Sequence, residues 1–96
     1  MYIREKIENQ IKALIAGSVD AAMEAGDFSA RALPEIYLEV PREKEHGDYA
    51  TNIAMQLPKQ AHKAPRVIAE SIVRHMNIDN SYVEAVEIAG PGFINF

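Results

Sequence analysis

The hydrophobic period of this chain changes three times, from helical to alternating, back to helical, and finally to a β pattern. That order excludes an all-helical bundle and an all-β sandwich, and leaves a small sheet with helices laid against it. Ile3, Ile7, Ile11, Leu14, Ile15 and Ala22 recur at spacings of three and four, while Arg4, Glu5, Glu8 and Lys12 fill the other faces. This predicts an N-terminal helix stopped by Gly26, where a left-handed residue closes the last turn. Residues 27–34, with Asp27, Ser29 and Pro34, read as a connection. Glu35 to Val40 alternates strictly, predicting a strand with Ile36, Leu38 and Val40 buried and Glu35, Tyr37 and Glu39 wet. Pro41 ends it.

After the charged loop Arg42–Gly47, Asp48 is the natural N-cap of a helix starting near Tyr49, with Ala50, Ile53, Ala54 and Leu57 on its apolar face. Pro58 must break or kink that helix, because it lacks an amide hydrogen and collides with the preceding turn. A further helix starts at Pro65, a favoured first-turn residue, with Ile68, Ile72, Val73 and Met76 as its stripe. Ser81–Ala89 is rich in β-formers, Gly90-Pro91-Gly92 is a turn, and Phe93–Phe96 is a short strand. The expected fold class is α+β: two layers, a small mostly antiparallel sheet with helices packed on one face. Strand order is left open. Because the last strand stops without a terminal loop, residues 1–96 read as one domain excised from the N-terminus of a longer chain.

Composition narrows the function classes. With 48% hydrophobic and 25% charged residues, a disordered chain is excluded. There is no cysteine, hence no disulfide framework and no thiolate metal site. No apolar run approaches the ~18–20 residues that span a bilayer, and the start lacks the apolar core of a secretory signal. A cytoplasmic monomer away from membranes is the expectation. The net charge of −4 argues against a free-standing nucleic-acid binder, although residues 42–75 carry six basic against four acidic side chains and all three histidines.

Few residues could carry chemistry. His46 and Asp48 flank Gly47, but no serine or threonine sits in a nucleophile-like setting beside them. His62 and His75 lie on separate predicted helices without metal-ligand spacing. No catalytic residue, metal ligand or bound cofactor is therefore assigned. Gly90-Pro91-Gly92 lacks the lysine and following helix of a phosphate-binding loop. The best local feature is the tetrapeptide after that turn. In an extended Phe93-Ile94-Asn95-Phe96, Ile94 and Phe96 suit the core, which puts Phe93 and Asn95 together on the open face. A ring that stacks and an amide that hydrogen-bonds form a reader of an unpaired base. The opposite arrangement, with Phe93 in the core and Asn95 capping a strand end, fits the spacing equally well. Lys59, Lys63 and Arg66, with Arg74, Arg42 and Lys44, could contact phosphates or simply form a solvated face.

Two segments, His46-Gly47-Asp48-Tyr49-Ala50-Thr51-Asn52-Ile53-Ala54-Met55-Gln56-Leu57 and Ala89-Gly90-Pro91-Gly92-Phe93-Ile94-Asn95-Phe96, resemble the N-terminal additional domain of bacterial arginyl-tRNA synthetases. Lys63-Ala64-Pro65-Arg66-Val67-Ile68-Ala69 resembles the stretch between them. Pro58 stands where that family more often has a helix former. The resemblance implies a two-layer domain that contacts the D-loop of arginine tRNA. The family's aromatic-x-Asn/Gln pattern, which meets a D-loop base, falls on Phe93, Ile94 and Asn95. It implies a parent ligase that joins arginine to tRNA using ATP with magnesium, chemistry housed in a catalytic domain whose motifs these 96 residues do not contain. A module that docks a neighbouring domain or protein through its sheet face is the alternative.

Overall fold

The computed structural model describes residues 2–96, apart from the side chains of residues 59 and 60. Helix α1 (Ile3–Glu24) is followed by a long extended connection and a 3-10 turn (Lys44–His46). Strand β1 (Ala50–Thr51), helices α2 (Ile53–Gln56), α3 (Pro58–Ala61) and α4 (Pro65–Arg74), and strands β2 (Glu87–Ala89) and β3 (Phe93–Asn95) complete the chain. The sheet order is β1-β3-β2, with both pairs antiparallel, so the last strand in sequence is the central one. Helices α1, α2 and α4 cover one face of it, as the expected α+β class requires.

The predicted N-terminal helix forms; Ile11, Ile15 and Ala22 of its stripe are fully buried, and so is Val19, which the predicted stripe did not include. Ile3 is 59% exposed, so the buried stripe starts further along the helix. Gly26 adopts φ +82°; its amide donates to the Met23 carbonyl, and the Asp27 amide donates to the Ala22 carbonyl. This paired closure satisfies carbonyls that the helix end leaves over. Pro58 does break the middle helix: α2 stops at Gln56, and Pro58 opens α3 as its first residue, where its missing N–H costs nothing. Ile53, Leu57, Ile68 and Ile72 join the α1 stripe and Ile94 in a single core.

Three local expectations are corrected by tertiary pairing. Asp48 does not cap a helix. Its amide and that of Tyr49 donate to the Phe96 carbonyl, the Phe96 amide donates to the Tyr49 carbonyl, and the chain enters β1. The helix begins only at Ile53, whose amide is held by the Thr51 hydroxyl. The predicted strand Glu35–Val40 shrinks to one bridge, Glu39 to Ala50, because β1 is too short to pair with more of it. Ile36 and Leu38 still pack on the core, but Val40, beyond that bridge, is exposed. Of the β-rich run Ser81–Ala89, only Glu87–Ala89 pairs.

Candidate nucleic-acid interface

The sheet face turned away from the helices is built by register. Ala50 and Glu87 both pair with Asn95, and Glu39 bridges Ala50, so Glu39, Ala50, Asn95 and Glu87 form one row across it. Phe93, paired with Ala89, lies two residues along the central strand on the same face. Ile94 points the other way and is fully buried, which selects the arrangement with Phe93 and Asn95 side by side.

The two side chains are not equally open. Phe93 is half-buried, whereas Asn95 is only 6% exposed. The sequence expectation that both would be freely solvated is therefore corrected for Asn95. The reason is topological: Asn95 lies on the central strand, with a neighbour on each side. Among the described residues no side-chain polar atom is both buried and without a partner, so the Asn95 amide is not shut away from hydrogen bonding.

Asn95 lines two grooves. The larger, about 330 Å³, is lined by Ala50, Ala89, Phe93, Pro41 and Pro91, with Glu39, His46 and Asn95 as its polar groups. The smaller, about 220 Å³, lies toward the 3-10 turn. His46 and Asn95 belong to both.

The two sequence segments on which the family resemblance rests meet here. Gly47, at φ +88° and ψ −169°, occupies a backbone region essentially restricted to glycine. A Cβ there would fall 2.3 Å from the Phe96 carbonyl oxygen. The loop bearing His46 is thus seated on the end of β3. At the other end, the Gly90-Pro91-Gly92 turn reverses the chain between β2 and β3. A Cβ on Gly92 would meet Pro65 at 3.0 Å, so glycine lets the turn lie against the start of α4. Arg66 then reaches across, its guanidinium donating to the Gly90 carbonyl at 2.8 Å.

The basic residues divide. Arg66 sits beside the turn that carries Phe93, and also lies 3.8 Å from Glu70. Lys63 is exposed in the connection before α4. The Lys59 side chain lies outside the described residues. Arg74 is remote from this face; with Ser71 and His75 it converges on a single oxygen of Asp27, at 3.2, 2.6 and 3.0 Å respectively. The Ser71 hydroxyl, the His75 ring and the Arg74 charge hold the Asp27 carboxyl below its usual range. This cluster fastens the end of α1 to α4; the serine donates to the acid, not to the histidine, so it has no nucleophile-activating geometry. His62 closes α3 with φ 56° and faces solvent. The rim of the sheet face is mostly acidic, with Glu39, Glu43, Glu45 and Glu87 against Arg42 and Lys44. Phosphates are disfavoured against such a surface, whereas base edges carrying N–H donors suit it. His46, Glu39 and Pro41 were missed as groove residues, because the pairing of Glu39 with Ala50 and the seating of the Gly47 loop on Phe96 are long-range contacts.

Comparison with known proteins gives a family match to the arginyl tRNA synthetase N terminal domain over residues 2–96. The chain is 60% identical over 89 residues to the arginine–tRNA ligase of Listeria monocytogenes serotype 4a (strain HCC23), covering 93% of this chain and 16% of that protein. It is 46% identical over 92 residues to the ligase of Acetivibrio thermocellus, covering 96% of this chain and 16% of that protein. To the ligase of Symbiobacterium thermophilum it is 48% identical over 95 residues, covering 99% of this chain and 17% of that protein. The chain thus spans about a sixth of the length of these relatives.

Proposed function

Since the chain belongs to the family of arginyl-tRNA synthetase N-terminal domains, we propose that its outer sheet face reads an unstacked base in the D-loop of arginine tRNA. The base lies on Phe93 in the groove that Ala50 and Ala89 also line, and the Asn95 amide hydrogen-bonds its edge. One observation carries the reading: Phe93 and Asn95 stand side by side on the outer sheet face and line one groove, an aromatic ring beside an amide.

On this reading the domain positions tRNA, while the synthetase joins arginine to it with ATP and magnesium in a separate catalytic domain. Arg66 and Lys63 supply weak phosphate contacts at the α4 end of the face. Base reading provides identity, and the few cations provide salt-dependent affinity. The test is Phe93→Ala in the full-length synthetase. Loss of one stacked base is worth ~1–3 kcal/mol, so kcat/KM for tRNA falls roughly 5- to 150-fold. A tRNA transcript made abasic at the recognised D-loop position should show the same loss with the parent enzyme and no further loss with the variant. Equal charging of intact and abasic transcripts by the parent enzyme refutes the reading.

A further inference from the structure

We propose that the smaller groove is a second nucleotide subsite, which takes the neighbour of the base held at Phe93. The inference rests on the D-loop reading above, and it concerns residues that reading leaves unused. The residues lining the groove include Lys44, Glu45, His46, Glu87, Asn95 and Phe96. It adjoins the first, because His46 and Asn95 line both.

Each element has a chemical use. Asn95 is nearly buried and lines both grooves, with both a donor and an acceptor to offer. Serving one base leaves part of that capacity for the next. The His46 ring is half-exposed on the rigid 3-10 turn, seated by Gly47 against the Phe96 carbonyl, and presents an aromatic surface between the two bases. Glu87, directly opposite Asn95 in the register, accepts hydrogen bonds from base N–H groups. Lys44 at the edge is the nearest cation for the connecting phosphate, which the surrounding carboxylates otherwise repel outward. The ligand class is therefore a pair of consecutive unstacked nucleotides. The second carries a base with amino or imino donors.

The experiment uses the full-length synthetase and arginine tRNA transcripts made abasic at each D-loop position in turn. The parent enzyme should lose about 5-fold or more in kcat/KM at two consecutive positions. Phe93→Ala should abolish sensitivity at one of them, and His46→Ala and Glu87→Gln should abolish it at the other only. The proposal is overturned if a single position is sensitive. It is equally overturned if His46→Ala and Glu87→Gln lower charging by the same factor for every transcript. In both cases the Phe93 site stands, provided that its own position remains sensitive. Insensitivity at every position removes the Phe93 reading and this one together.

Discussion

Replacing Asn95 with leucine separates a structural from a recognition role. The side chain is 6% exposed on the central strand, so leucine of similar size meets the same neighbours. Burying an amide without a hydrogen bond costs roughly 1–3 kcal/mol by protein mutational measures. Because this amide keeps a contact with solvent, only part of that cost is present. Leucine is also no worse a strand former than asparagine. Asn95→Leu should therefore leave stability unchanged or raise it by up to ~1 kcal/mol, which for a domain this size raises Tm by up to ~4–8 °C. The same variant removes the hydrogen bonds that identify the base, worth about 1–3 kcal/mol, and so lowers kcat/KM of the synthetase for tRNA by roughly 5- to 150-fold. Thermal unfolding by circular dichroism and steady-state charging read the two quantities independently. A drop in Tm of more than a few degrees, with charging per folded molecule unchanged, would mean that the amide holds the fold and does not read a base.

Gly47→Ala should do the reverse and act on the fold. The backbone region alone costs roughly 1–3 kcal/mol, and displacing the Phe96 carbonyl endangers two hydrogen bonds of about 1 kcal/mol each. A Tm loss beyond ~10 °C is expected, and a loss under ~3 °C would contradict the close approach. Ile94→Ala removes a fully buried side chain at the sheet–helix junction and should cost about 2–5 kcal/mol in chemical denaturation. The Asp27 carboxyl titrates below its unfolded range, so its contribution is complete above the unfolded carboxylate pKa and is lost as pH falls through its lowered folded value. Denaturant midpoints of Asp27→Asn should fall less steeply than those of the parent as the pH is lowered from neutrality through the carboxylate range, and parallel curves would show that the Ser71, His75 and Arg74 contacts do not persist in solution. Finally, tRNA affinity should weaken with added salt, but with a shallow slope, since few cations border the face.

Much of this protein is written in local patterns. The 3–4 spacing from Ile7 to Ala22, the break at Pro58, the helix opened by Pro65 and the Gly90–Gly92 reversal each arise from chemistry within a turn or two of chain. Alternation in Phe93–Phe96 offered two arrangements that fit equally well, and only the packing, which buries Ile94, set Phe93 beside Asn95 on the outer face. The remainder depends on residues distant in sequence. Asp48 carries a good local capping signal, but the Phe96 backbone, far along the chain, takes its amide and turns a predicted helix start into a strand. Asn95 differs in burial from Phe93 because it is paired on both sides, with Ala50 and Glu87, whereas Phe93 is paired with Ala89 alone, a register that no property of the tetrapeptide encodes. His46, Glu39 and Glu87 meet around that amide only through register. A periodic pattern determines which side of an element is buried, since that is decided residue by residue against water; which elements become neighbours is decided by the lowest free energy of the whole packing, and the grooves exist only at that level.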